Sequence, residues 1–199
     1  MKKEMGVLSA VFPMPVLIIA AYDENGTVQV MNAAWGNQCQ ENAVALFIDE
    51  DHATTKAIRQ TKAFSVSLAD VPNIEAADYF GIVSGNSVPE KFALSGLRAE
   101  KSRFVNAPVI AEFPVTMECE LAEIVETQHM YAIVGTIKNV SAEESVLGSD
   151  GKIDPGKLRA LIFDPFGHAY YETGPLAGKA WGSGKEMAKA AREKSGKSA

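Results

Sequence analysis

Two long alternating runs joined by a short connection constrain this chain more than any other feature. Residues 115–124 place Val115, Met117, Cys119 and Leu121 on one face, and residues 130–140 place Ile133, Gly135 and Ile137 on one face, with Thr127-Gln128-His129 between them. Alternation at period two is the pattern of a strand with one buried face. Two such runs separated by a few residues form a hairpin. A second hairpin is predicted nearer the N-terminus, where β-prone runs at residues 16–22 and 27–31 flank Asp23-Glu24-Asn25-Gly26. Asn and Gly tolerate the positive φ angles that tight hairpin turns require.

Further strands are predicted from the apolar run at residues 43–48, from the alternating Phe64-Ser65-Val66-Ser67-Leu68, and from a last short stretch at residues 161–163. Short helices are predicted over residues 54–61, 73–83 and 89–94. The first has Ala57, Ile58 and Thr61 on one face, the second has Asn73 as cap, and the third has Pro89 in its first turn. Five to seven strands with few helices between them give a mainly β chain, an antiparallel barrel or sandwich. The 199 residues suit one domain, residues 1–175, followed by a C-terminal extension, residues 176–199, with a polar helix at 185–194 and a frayed tail.

Composition removes several function classes. A net charge of −6 gives a nucleic-acid backbone no counterpart. Cys39 and Cys119 are too few for a disulfide framework and lack metal-ligand spacing, so no metal is expected and a reduced, cytoplasmic compartment is. Lys2 and Lys3 precede an apolar stretch in the manner of a leader, but Pro13 and Pro15 interrupt it and the run continues into the first hairpin. No stretch has the length of a membrane span, and no membrane partner is expected. No Ser-His-Asp order and no Gly-rich phosphate loop is present, so no catalytic side chain is assigned.

Two segments carry chemistry. Asn32-Ala33-Ala34-Trp35-Gly36 reads as a loop of small residues beside a tryptophan, where backbone N–H groups can reach a flat ring and Asn32 can bond its edge or its side chain. The alternative is a loop with a core tryptophan. Asp51-His52-Ala53-Thr54-Thr55-Lys56 opens a helix with hydroxyls and a cation, a suitable phosphate cradle. The alternative there is an ordinary helix start capped by Asp51 or Thr54 with Lys56 in solvent, and the carboxylates of Asp49, Glu50 and Asp51 favour it unless they point away.

In order and spacing these pieces, together with Pro13-Met14-Pro15-Val16, Tyr79-Phe80-Gly81-Ile82-Val83-Ser84-Gly85, Glu90-Lys91-Phe92, Ala107-Pro108-Val109-Ile110 and His129-Met130-Tyr131, resemble the flavin reductase-like family, whose members include flavoredoxins. The resemblance runs from about residue 13 to residue 174. It implies an antiparallel, Greek-key FMN-binding split β-barrel with short helices, and a homodimer with FMN at or near the subunit interface. It also implies phosphate contacts at Thr54, Thr55 and Lys56, with His52 standing where arginine is common in the family. Ring or ribityl contacts would fall at Asn32, Ala33, Ala34, Trp35, Ile48 and Asp49. Lys91 and His129 would lie close to the cofactor, and Phe163 and Tyr171 would pack nearby. The implied activity passes electrons from NADH or NADPH through FMN to a flavin or redox acceptor. Two variants stay open: an electron carrier without nicotinamide activity, and the reductase component of a two-component oxygenase with a protein partner.

Overall fold

The computed structural model describes residues 1–195. In chain order the strands are β1 (Met14–Pro15), β2 (Leu17–Tyr22), β3 (Val28–Ala33), β4 (Gly36–Gln40), β5 (Ala43–Leu46), β6 (Ala63–Leu68), β7 (Ala99–Lys101), β8 (Pro108–Ile110), β9 (Val115–Thr127), β10 (Met130–Ala142), β11 (Leu161–Asp164) and β12 (Ala169–Glu172). The helices are α1 (Ala53–Thr61), α2 (Ile74–Ile82), α3 (Lys91–Ser95), α4 (Pro155–Leu158) and α5 (Lys185–Lys194).

One antiparallel sheet of seven strands, ordered β3-β2-β6-β9-β10-β5-β4, forms the body of a split β-barrel. The sheet curls until its far edge meets β2. A Cβ on Gly36 of β4 would lie 2.9 Å from Leu17 Cδ1 and 2.9 Å from Leu46 Cδ2, so glycine permits the closure. The barrel is filled by Leu17, Ile19, Phe64, Val66, Cys119 and Ile133, and α1 adds Ala57 and Ile58 to the same cluster. The opposite face of β2, with Ile18 and Ala20, packs on Ala77 and Phe80 of α2 and on Leu161 of β11. This explains why β2 is apolar without alternation: it is a wall between two cores, buried on both sides.

The long hairpin is present, with bulges between Val134 and Gly135 and between Ile137 and Asn139. Strand pairing with β6 ends at Glu120 of β9, and pairing with β5 ends at Ile133 of β10. Beyond those points the two strands pair only with each other and carry His129 outward on an exposed tip. At its base sits a buried carboxylate. Ser102 Oγ donates to one oxygen of Glu118, Asn139 Nδ2 donates to the other at 2.6 Å, and the Ser102 oxygen accepts the Phe104 and Val105 N–H groups at 3.0 Å each. The connection from β7 to β8 is thereby tied to the barrel. Burial first, and the Glu118 charge second, push the neighbouring Cys119 thiol up to about 12, so this cysteine stays protonated and inert.

Several expectations need correction. The described residues form twelve strands, not five to seven. The polar edge strand β4, Gly-Asn-Gln-Cys-Gln, has little apolar periodicity, because most of it faces solvent. The strand at 161–163 is not the last, since β12 follows and pairs with it. Residues 32–36 are not a loop: Asn32 and Ala33 end β3, a turn occupies Ala34 and Trp35, and Gly36 begins β4. Asn73 precedes α2, but its amide donates to Asp70 Oδ1 and Glu112 O instead of capping the helix. Pro89 lies before α3, in the turn that enters it. The Asp23–Thr27 connection is longer than a two-residue turn. Asp23 Oδ1 accepts the Asn25 and Thr27 N–H groups, and Gly26 alone takes the positive φ, at 79°. Neither Asp51 nor Thr54 caps α1; His52 occupies the cap position without a side-chain bond.

Candidate functional site

The end of β3, the start of α1 and one face of α2 converge on a cleft with two lobes. In α2, Asp78, Gly81 and Ile82 share a face by helical spacing. The first lobe encloses about 430 Å³, a volume in the range of ligand pockets, and is walled by Trp35, Phe47, Phe163 and Tyr170. Trp35 and Phe163 face each other with ring centroids 6.1 Å apart and planes tilted by 50°. Trp35 is 50% exposed, so it is a wall of the cleft and not part of the core. Ala33, Ala34 and Gly81 also line this lobe and leave backbone accessible to a flat group.

The second lobe, about 240 Å³, is polar. It is bounded by His52, Ala53 and Thr54 at the start of α1, by Ser84 and Gly85 after α2, and by Lys91. Met31, Asn32, His52, Gly81 and Ile82 belong to both lobes, which makes the cleft continuous. α1 begins here with no side-chain cap on its first turn, so its N–H groups and positive dipole end are available to an anion. Gly85 gives close backbone approach: a Cβ there would stand 3.0 Å from Ala53 Cβ and 3.1 Å from Gln29 Oε1.

Lys91 is the cation of this lobe and is only 3% exposed. Its Nζ donates to Phe80 O at 3.0 Å and Val83 O at 2.7 Å, carbonyls at the C-terminal end of α2. Burial pulls the ammonium down from the ordinary lysine value of 10.5 to about 8. An anion in the lobe restores the balance in favour of the charged form. His52 sits at the junction, and its Nδ1 is buried without a hydrogen-bond partner.

The acidic residues do not crowd the polar lobe. Asp49 lines the aromatic lobe only, Glu50 is exposed and pairs with Arg59 at 3.6 Å, and Asp51 is exposed. Of the residues expected in the site, Asn32, Ala33, Ala34, Trp35, Ile48, Asp49, His52, Thr54 and Lys91 are brought together. Three are not, within a single chain. Thr55 is fully buried on the inward face of α1 with its hydroxyl unpaired, Lys56 is exposed with Nζ 3.5 Å from Asn86 Oδ1, and His129 is at the hairpin tip. Phe163 lines the cleft, whereas Tyr171 is 54% exposed and points away; its neighbour Tyr170 takes the place in the wall. Successive strand residues face opposite sides, so an error of one position reverses the assignment.

Asp78 and Tyr170 were not foreseen as cleft residues. Tyr170 OH donates to Asp78 Oδ1 at 3.0 Å, and Asn32 Nδ2 donates to Ala77 O at 2.8 Å and to the Tyr170 oxygen at 3.4 Å. The only sequence signal was the helical spacing of Asp78 with Gly81. Among the described residues, no group of His, Cys, Asp and Glu side chains is arranged to hold a metal. No described helix is long and apolar enough to cross a membrane.

A cleft with an aromatic lobe for a ring and a cationic lobe for an anion fits a nucleotide-like cofactor, and comparison with known proteins agrees. The family model for the flavin reductase like domain matches residues 8–163. The structure is similar to flavoredoxin of Desulfovibrio vulgaris (Miyazaki F), with 32% identity and a TM-score of 0.87 over 92% of this chain and 100% of that one. It is also similar to flavoredoxin from Methanosarcina acetivorans, with 26% identity and a TM-score of 0.85 over 94% and 99% of the two chains. A protein of Aeropyrum pernix is 29% identical over 137 residues, 68% of this chain and 51% of its own length, so this chain spans about half of that relative. The chain therefore belongs to the flavin reductase-like domain family.

Proposed function

We propose that this chain binds FMN in the two-lobed cleft and passes electrons from NADH or NADPH through it to a flavin or redox acceptor. One observation carries the reading: an aromatic lobe and an anion-accepting lobe are joined at Asn32 and His52 into a single continuous cleft. FMN, when bound, supplies the electron relay. The residues of the chain hold and orient it. Trp35 and Phe163 together form a wall against the ring, the opening turn of α1 and Lys91 receive the phosphate, and the apolar walls exclude water. The test is an absorption spectrum of the purified protein after FMN addition and gel filtration, followed by anaerobic titration with NADH and with NADPH. Retained flavin bands that bleach with either nicotinamide are the expected result. A protein that retains no flavin would sink the reading.

A second reading, an FMN-bound electron carrier without nicotinamide activity, is favoured by the likeness to flavoredoxin along that protein's whole length. Retained flavin that is reduced by a redox protein but not by nicotinamides would select it.

We further propose that the chain works as a homodimer with the cleft near its interface. Support comes from the hairpin that projects beyond the sheet and from Phe47 and Trp35, which are apolar and exposed at the cleft. A second copy would cover them, and could bring the His129 of its hairpin tip to the cleft of the first. Light scattering at micromolar concentration is expected to give twice the monomer mass of 21.3 kDa. A mass of one chain across the micromolar range would rule the interface out.

A further inference from the structure

Three elements distant in sequence meet at the junction of the lobes and set the direction of a hydrogen-bond chain. Asp78 of α2 offers a carboxylate, which accepts; Tyr170 of β12 donates its single proton to it at 3.0 Å. The phenol oxygen is then left as an acceptor, and it takes one N–H of the Asn32 amide at 3.4 Å. The other N–H goes to Ala77 O at 2.8 Å, a backbone carbonyl that can only accept. Both amide protons of Asn32 are thus committed to the protein. Its Oδ1 accepts no bond from any described residue. Gly81 faces this amide: a Cβ there would meet Asn32 Cβ at 3.4 Å and Nδ2 at 3.6 Å, in ordinary contact. Burial first, and the bond to Asp78 second, raise the Tyr170 phenol above its ordinary range, so its proton stays in place near neutral pH and the direction is fixed.

Asn32 lines both lobes. A ligand with its ring in one lobe and its phosphate in the other must pass its linker across this residue. We infer that Asp78 and Tyr170 are positioning residues that present Asn32 Oδ1 as an acceptor for a hydroxyl of that linker, so the cleft selects flavins with a polyol chain over those without one. The inference rests on the FMN reading and adds what the cleft discriminates. Asn32 offers the acceptor to the linker; Tyr170 and Asp78, which also line the ring lobe, act on the linker through it.

The test compares FMN with a synthetic flavin phosphate whose N10 chain is an unsubstituted alkyl of the same length. Affinities of the full chain for both are measured by flavin fluorescence at pH 7 and fixed salt. Wild type is expected to bind FMN about tenfold more tightly than the alkyl analogue, the value of one hydrogen bond. Asn32→Ala brings the ratio close to one. Tyr170→Phe and Asp78→Leu, which cut the chain of bonds at different points, lower the ratio severalfold; both residues also line the ring lobe, so the ratio, in which ring contacts shared by the two ligands cancel, is the readout. Asp78→Asn, whose amide oxygen still accepts from Tyr170, keeps the wild-type ratio. A merely structural lock between α2 and β12 would lower both affinities together and leave the ratio at its wild-type value, which overturns the inference. Equal affinities in wild type overturn it as well, with FMN binding intact. A wild type that binds neither ligand defeats the FMN reading itself.

Discussion

Above about pH 8, affinity for FMN is expected to fall by about tenfold per pH unit, because Lys91 must regain a proton to meet the phosphate. The sign follows from the burial of the ammonium. In the folded, ligand-free chain Lys91 titrates at about 8 against an ordinary 10.5, so between these values the folded chain has released a proton that the unfolded chain keeps. Stability without ligand therefore rises with pH across that window, and the burden of the buried charge is fully present below it. A phosphate reverses the preference, since it favours the charged lysine; binding takes up a proton and weakens as protons become scarce. Lys91→Met keeps the length of the side chain and removes the charge. Its affinity at pH 7 is expected to drop by about 10–100-fold, the value of a hydrogen bond to a charged group. Its affinity is also expected to be flat between pH 8 and 9.5, where wild type is steep. Fluorescence titrations over this pH range read both effects, and a wild-type slope retained by Lys91→Met would remove Lys91 from the phosphate lobe.

Gly135→Ala is the second large effect, on stability. A Cβ at this position would lie 2.3 Å from Phe64 Cζ, 2.9 Å from its Cε1 and 3.2 Å from Cys119 Cβ. Phe64 is fully buried in the barrel, in one cluster with Ile58 and Ile133, and has no solvent-facing side to withdraw to. Overpacking of this severity costs about 3 kcal/mol. At about 2–4 °C per kcal/mol for a domain of this size, Tm falls by roughly 6–12 °C. Phe64→Leu in the Gly135→Ala background should recover part of the loss, because the two sites share one volume and their effects are not additive. A single variant melting within about 1 °C of wild type would show that the barrel yields where it is drawn as tight.

How far the sequence revealed this molecule depended on which face of each element is buried. The β9–β10 hairpin, the helix at Ala53–Thr61 and the strand at Ala63–Leu68 stood out because one face is apolar at the correct period. β4 did not, because an edge strand with four exposed residues carries no such pattern. β1, β7 and β8 are too short for any period to register. In the cleft, the small residues at 32–34 and Lys91 were visible as residue types suited to a ring and a phosphate. Tyr170 was missed in favour of Tyr171 because a run of two tyrosines fixes a strand but not its parity. Asp78 was missed because its role depends on a partner 92 residues away, and helical spacing alone does not reveal such a partner.

That separation has a consequence for how the protein is made. The barrel strands, α1, α2 and Lys91 all precede residue 143, while Phe163 and Tyr170 arrive on β11 and β12. During synthesis, at roughly 5–20 residues per second, the polar lobe can form before Phe163 and Tyr170, the late half of the aromatic wall, have left the ribosome. A nascent chain could therefore hold a phosphate but not yet enclose a ring. Cofactor loading would wait for the last two strands, so the order of translation is also an order of assembly for the site.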